Sequence, residues 1–352
     1  MRDLIPFMLR WRERGDQIAL ATVTKTWGSS PRPAGAKMAV NASGEFTGSV
    51  SGGCVETAVI EEAMKILAAG EPKLLRFGVS DEQAWSVGLT CGGSIEVFVE
   101  RMPLLSPAQT ALPGHDFMRA WLQALAKAEP MAVATVLRGE EHILGRHMLL
   151  SAEGTIHNEF DDEDLTSLVR TRAASWLARE HAEVVTAGER EVFVESILPA
   201  PKLIIIGAVH VAVPLITLAK TLEYQVILVD PRGAFATDER FPHVDRLVRQ
   251  WPDEALQEIG IDAGTCLVIL THDAKLDDPA LKFALQRQPA YLGVLGSKRT
   301  HEKRIKRLKA EGISDDQLAR VHAPVGLEIG ASTPAEIALS IMAEIVARRR
   351  AP

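Results

Sequence analysis

Apolar positions along the chain change their spacing from one stretch to the next, and each spacing predicts an element. Leu4, Phe7, Met8 and Trp11 recur at helical intervals with charges between them, which predicts an opening helix over Met1–Arg14. Ile18–Lys25 (IALATVTK) is rich in β-branched residues and predicts a strand. Lys37–Asn41 resumes a strand, Asn41–Glu45 turns, and Phe46–Val50 runs into Ser51-Gly52-Gly53-Cys54. Beyond it Ala58, Val59, Glu62, Ala63, Ile66 and Leu67 fall at helical spacing. This reads as strand, tight turn and helix, with Ser51 or Gly52 near the N-cap and Cys54 in the first turn. Ser94–Glu100 is a further strand, and Phe117–Ala126 a further helix.

From Met131 the pattern starts again. Ile18–Val23 (IALATV) resembles Met131–Val136 (MAVATV), and Ala39–Glu45 resembles Leu149–Thr155. Glu96–Glu100 (EVFVE) recurs letter for letter as Glu191–Glu195, and a helical stretch, Asp164–His181, takes the place of Cys54–Ala69. Such repetition predicts paired units that bury a face together. The second copy lacks the Gly-Ser-Ser-Pro-Arg-Pro loop, the Gly-Gly-Cys and the Cys-Gly-Gly of the first. A sheet alone requires none of these, so chemistry belongs to the first copy.

Pro199-Ala200-Pro201 marks a boundary, after which the pattern becomes β-α-β. Leu203–Ile206 and Gln225–Val229 are continuous apolar runs, as strands buried on both faces require. Cys266–Leu270 and Tyr291–Leu295 are further strands. Between them lies a helix, Pro279–Gln286, with Asp277 or Asp278 as its cap. Thr333-Pro334-Ala335-Glu336 opens a final long helix. The fold class expected is therefore α/β. An N-terminal α+β region, residues 1–198, holds two related units at about 1–102 and 115–198. A C-terminal Rossmann-like, doubly wound parallel sheet occupies 199–352.

Composition narrows the function. The chain has 352 residues, 47% hydrophobic and 24% charged, which describes an ordinary globular protein. A net charge of −7 argues against nucleic acid or an acidic membrane as partner. No segment approaches the apolar length of a membrane span. Three cysteines make no disulfide framework and fit a reducing, cytoplasmic setting.

The candidate chemistry lies at glycine turns. A thiol at a helix start meets unpaired N–H groups and the positive end of the helix dipole, which favours a thiolate. Cys54 follows Gly52-Gly53, and Cys91 precedes Gly92-Gly93, which suggests one reactive site built from two loops. The alternative is that both cysteines are small buried hydrophobes. Gly28-Ser29-Ser30-Pro31-Arg32 and Lys37 offer hydroxyls, N–H groups and two cations, a workable lining for a phosphate or else a solvated loop. In the second region, Gly207-Ala208-Val209-His210 stands where a dinucleotide fingerprint would stand, and Asp230 follows 23 residues after Gly207, near the usual ribose-binding acid. Val209 replaces the glycine that lets backbone meet pyrophosphate, so NAD(P) binding is expected to be weak or absent. Arg232, His272, Asp273 and Gly296-Ser297-Lys298-Arg299 also sit at strand ends. His272 and Asp273 either bind metal or move protons, or simply order their loop. Gly296–Arg299 opens a very basic helix whose start suits an anion.

Taken together, TWGSSPRPAGAKM, GSVSGGCVE and RFGVSDEQAWSVGLTCGGSIEVFVE resemble the xanthine dehydrogenase accessory family (XdhC/CoxI). So do LIIIGAVHVA, VDPRGAF, THDAKLDDPAL, YLGVLGSKRTHEKRI and VGLEIGASTPAEIA, and the resemblance covers nearly the whole chain. The sequence departs at Val209, where the family has Gly-Ala-Gly-His-Val. The resemblance implies a maturation factor that binds the molybdopterin-type molybdenum cofactor and protects it while a cysteine desulfurase supplies its sulfido ligand. Such a factor then helps insert the cofactor into an apo molybdenum hydroxylase. On this reading Cys54 and Cys91 face the metal, converging at a cleft between the N-terminal unit and the α/β domain, and the protein acts as a homodimer or larger assembly. Two alternatives are an NAD(P)-dependent oxidoreductase using His210 or His272, and a structural assembly protein in which both cysteines are dispensable.

Overall fold

The computed structural model describes residues 3–78, 93–102, 115–127, 129–177 and 180–349. The chain divides into two compact units, Met1–Pro199 and Ala200–Pro352. The first unit begins with α1 (Ile5–Glu13), β1 (Ile18–Trp27), β2 (Lys37–Asn41), β3 (Phe46–Gly48), α2 (Glu56–Ala69), β4 (Lys73–Phe77) and β5 (Ser94–Met102). It continues with α3 (His115–Lys127), β6 (Met131–Arg138), β7 (His147–Ser151), β8 (Gly154–Asn158), α4 (Glu163–Leu177), β9 (Ala182–Ala187) and β10 (Arg190–Ile197). The two antiparallel sheets have the orders β3-β2-β1-β5-β4 and β8-β7-β6-β10-β9, so β1 and β6 hold the same central place. The repeat read from IALATV and MAVATV is thus a repeat of topology. The helical stretch expected over Asp164–His181 instead ends at Leu177, and Ala182–Ala187 is a strand paired with β10.

The run IALATV shows no polar alternation because β1 is covered on both faces. Ala19, Ala21 and Val23 pack with Val59, Ala63 and Ile66 of α2. Ile18 and Leu20 point the other way, toward Phe117, Trp121, Met131 and Val133 of the second copy. The two sheets meet across a seam with a pseudo-twofold pattern. Thr22 pairs with Lys37 in one sheet and Thr135 with His147 in the other. Lys37 Nζ lies 3.0 Å from Thr22 Oγ1 and 2.7 Å from Glu195 of the opposite copy. His147 Nδ1 lies 3.1 Å from Thr135 Oγ1, and its Nε2 lies 2.9 Å from Glu100 of the opposite copy. Lys25 and Arg138 each reach both Glu96 and Glu191, so each of these cations bridges a glutamate of its own copy and one of the other. The recurring EVFVE therefore has a physical reason. Two glutamates four apart on a strand share a face, and both copies turn theirs onto basic side chains of the seam.

The second unit runs β11 (Lys202–Ile206), α5 (Ala212–Thr221), β12 (Gln225–Val229), β13 (Arg246–Val248), α6 (Pro252–Ile259), β14 (Thr265–Ile269), α7 (Ala274–Leu285) and β15 (Tyr291–Val294). It closes with α8 (Lys298–Ala310), α9 (Asp315–Leu318) and α10 (Pro334–Arg349). Its sheet is parallel, in the order β13-β12-β11-β14-β15. Leu203, Ile205, Val226 and Val268 pack on α5 and α10, while Ile204, Ile206, Leu267 and Ile269 pack on α6, α7 and α8. The unit is doubly wound, and strand order reverses between β11 and β14, where such folds place ligands at the carboxyl ends. Helix α7 starts five residues earlier than Pro279, capped by the Asp273 side chain on Lys275 N, so Pro279 lies inside it. Among the described residues no helix is long and apolar enough to cross a membrane.

Candidate functional site

Gly48 ends β3 at φ +82°, and a Cβ there would come within 2.4 Å of the Lys37 carbonyl, so only glycine fits. The next residues do not enter a helix as the sequence suggested. Helix α2 begins at Glu56 with Val55 as N-cap, which leaves Cys54 two residues ahead of it. The reason is the Glu56 carboxylate, which folds back over the loop. Its Oε1 accepts from Ser49 Oγ at 2.7 Å and from the N–H groups of Val50, Ser51 and Gly52 at 2.9–3.1 Å. Its Oε2 accepts from Ser51 Oγ and from Gly53 N at 2.9 Å. Ser51 Oγ in turn accepts from the N–H groups of Cys54 and Val55 at 3.0 Å. The Gly52 and Gly53 N–H groups, expected to belong to the reactive site around Cys54, are already spent on this internal carboxylate. Burial alone would raise the Glu56 pKa, but the hydrogen bonds from Ser51, Ser49 and the backbone outweigh it and bring it to about 2. The loop is an anion nest filled by its own chain. Cys54 is half-buried at the edge of the core beneath α2.

Two further pieces meet this loop at the same end of the first sheet. Arg32 Nε donates to Ser49 O at 3.3 Å, and Gly52 faces Pro31, whose Cβ would lie 3.6 Å from an added methyl. Gly93 lies under the Trp27–Ser29 backbone, where a Cβ would approach Ser29 O to 2.3 Å and Trp27 O to 2.8 Å. The Gly28–Arg32 loop, the Gly52–Cys54 loop and Gly93 therefore converge. Trp27, Gly28, Ser29, Gly52 and Gly53 are exposed, and Ser30 Oγ ties the first loop by donating to Arg32 O at 2.9 Å. Cys91 and Gly92 lie outside the described residues. Lys37 does not join the site. It is the first residue of β2, and its side chain is buried against Glu195 in the seam. Among the described residues, no cluster of three or more His, Cys, Asp and Glu side chains could hold a metal ion. Cys266, the third cysteine, is buried in the second unit, and burial pushes its thiol up to about 12.

In the second unit, Gly207 has φ +111°, and a Cβ there would come within 2.4 Å of Thr271 Cγ2, so the loops after β11 and β14 are in close contact. Asp230, expected to face a ribose, is instead fully buried. It accepts from Ala208 N at 2.7 Å, Arg232 N and Nε at 2.9 Å, and Arg232 Nη2 at 2.7 Å. Burial would raise its pKa, but Arg232 and the two backbone donors hold it below the ordinary range. Asp230 and Arg232 satisfy one another. Val209 packs against the α5 core, while His210 and His272 are exposed. Asp273 caps α7, which is the loop-ordering role, and Ser297 caps α8 by accepting from Thr300 N at 3.2 Å.

Residues 203–345 match the model of the XdhC Rossmann domain, and residues 11–78 match that of the XdhC and CoxI family. The chain is 31% identical over 343 residues to a Bacillus subtilis (strain 168) protein named as a probable xanthine dehydrogenase component, covering 96% of this chain and 95% of that one. The chain belongs to the XdhC and CoxI family. It is also 25% identical to the Escherichia coli (strain K12) molybdenum cofactor insertion chaperone PaoD, across 99% of this chain and 88% of the relative. A crystal structure from Bacillus halodurans, described as a xanthine dehydrogenase, aligns with a TM-score of 0.75 at 25% identity, covering 98% of this chain and 95% of that one. The XdhC and CoxI match contains both converging loops, from Trp27 through Cys54.

Proposed function

We propose that this chain carries a molybdopterin-type molybdenum cofactor and delivers it to an apo molybdenum hydroxylase of the xanthine dehydrogenase class, with a cysteine desulfurase supplying the sulfido ligand while the cofactor is held. Family membership and the relative named as an insertion chaperone support the class of cargo. The observation that carries the reading is an asymmetry. Two halves of one unit share a sheet topology, yet among the described residues only the first ends in converging glycine loops beside a thiol. A soft sulfur ligand suits the metal end of such a cargo. Exposed glycine backbone and the Ser29 hydroxyl suit its polar pterin. Because Glu56 already orders the loop, the cargo meets a preformed surface with few strong ligands, and a carrier must be able to let go.

The test is Cys54→Ser, produced with its client in a molybdate-replete host. Serine keeps the Cys54 N–H bond to Ser51 and replaces one atom by a smaller one, so the variant is expected to fold. Client activity should fall at least tenfold. A folded variant that still activates its client at the normal level would place the cargo site elsewhere.

The oxidoreductase alternative lacks its ribose acid, since every strong acceptor position of Asp230 is filled from within the chain. Titration of the full chain with NADH or NADPH, followed by nicotinamide fluorescence, should show no saturable micromolar binding. Saturation with turnover would favour the oxidoreductase.

A further inference from the structure

Helix α8 starts with Lys298 and Arg299 and has no acidic residue in its first turn, the opposite of what a helix dipole favours. Ser297 Oγ accepts from Thr300 N, and Ser297 O accepts from His301 N. The N–H groups of Lys298 and Arg299, at the first two helical positions, have no acceptor among the described residues. Helices α2 and α10 differ, because each carries a glutamate in its first turn, Glu56 and Glu336, whose carboxylate accepts from N–H groups just ahead of the helix.

A second, independent observation lies one and a half turns along. Arg304 is 1% exposed, and its side chain leans back toward the helix start, as helical side chains do. Nη2 bonds Asp277 Oδ2 at 2.8 Å and reaches Leu295 O at 3.4 Å. Nη1 lies 4.0 Å from the position of a Cβ on Gly296, directly at the turn that opens the helix. Among the described residues neither Nη1 nor Nε has a hydrogen-bond partner, and His301 Nδ1 in the first turn is likewise buried without one. Among the described residues the nearby carboxylates reach Nη2 only and leave Nη1 and Nε unfilled. Asp277 is engaged by Thr271 and Arg304, with burial pushing its carboxyl up, and Asp278 is held bidentately by Arg307. A buried guanidinium with idle donors is costly unless something completes it.

We propose that the Gly296–Thr300 turn is a phosphoryl-binding site, in which the Lys298 and Arg299 N–H groups and side chains hold the anion and Arg304 supports it from beneath. The site belongs to the second unit alone and does not depend on the molybdenum reading. Its ligand is a phosphate group, either free or on the tail of a larger molecule.

The experiment is calorimetric titration of the full chain with inorganic phosphate, pyrophosphate and cytidine diphosphate, alongside backbone amide NMR. Saturable binding with shifts centred on residues 296–300 is expected. The double variant Lys298→Glu/Arg299→Glu changes only exposed side chains and should fold normally while losing at least tenfold in affinity. Arg304→Gln, if it folds, should also bind more weakly. Tighter binding of cytidine diphosphate than of pyrophosphate would mark the tail of a nucleotide as the natural source, and equal binding would mark free phosphate. Absence of binding at about ten millimolar, a concentration that saturates even a weak site, would overturn the proposal. So would binding that the double charge reversal leaves unchanged.

Discussion

Replacing Glu56 with alanine is expected to be among the most damaging single changes in the first unit. Its carboxylate gathers the N–H groups of Val50, Ser51, Gly52 and Gly53 and two serine hydroxyls. Gly52 and Gly53 are exposed and can turn to water, but the Val50 and Ser51 backbones are buried. Two stranded N–H donors cost about 2–5 kcal/mol. For a unit of this size that is a fall in melting temperature of roughly 5–15 °C. Glu56→Gln keeps one acceptor oxygen and should lose less. The change has a signature in pH. A carboxyl whose folded pKa is about 2 adds stability above its ordinary range of about 4.5 and loses it as pH falls toward 2. The alanine variant should therefore show a flatter acid limb than the unaltered protein in thermal melts between pH 5 and pH 2.5. Equal acid limbs, or a melting temperature within a degree or two of the unaltered protein, would contradict the account of the loop.

The second large effect is in the seam. Lys37→Met leaves Glu195 buried without its cation, and breaking a buried pair from one side costs about 3–5 kcal/mol. The double variant Lys37→Met/Glu195→Leu removes both charges and should recover most of that loss, because apolar replacement of a whole buried pair is often neutral. Chemical denaturation of the four proteins in the cycle measures the coupling directly. A double variant no more stable than Lys37→Met would mean that the pair does not act as a unit. The symmetric pair adds a dependence on rising pH. Burial lowers the His147 pKa, but the charge and hydrogen bond of Glu100, with Glu159 beyond, outweigh it and leave the pKa above the ordinary imidazole value. Stability from this pair is present below that ordinary value and is lost as pH rises through the raised one. Glu100→Gln should remove the dependence.

Much of this architecture can be read in the residues, and the failures have identifiable causes. IALATV and MAVATV announce a repeat because both strands are buried on two faces and must be small and apolar throughout. The glutamates of EVFVE recur visibly, but their partners Lys37 and His147, like Lys25 and Arg138, are equivalent in place and different in kind. Comparing letters therefore does not pair them. Lys37 reads as part of the phosphate loop because it closes a run of glycines and prolines. The register of β2 sends it inward. At the thiol loop, an acid shortly after a glycine pair is the available signal that the N–H groups are filled from within. Asp230-Pro231-Arg232 carries a similar signal, since an arginine two residues away can fold back on the acid. The convergence of Ser29, Gly52 and Gly93 is legible only as a suspicion from repeated glycine pairs, because close backbone approach is a tertiary fact.

The central claim concerns cargo, and one measurement addresses it most directly. The full chain is purified without oxygen from a molybdate-replete host, and molybdenum is quantified by mass spectrometry and pterin by fluorescence after oxidation. The account predicts that both co-purify in a constant, near-equal ratio, and that both are lost together on incubation with an apo molybdenum hydroxylase. A folded protein that carries neither molybdenum nor pterin would contradict it.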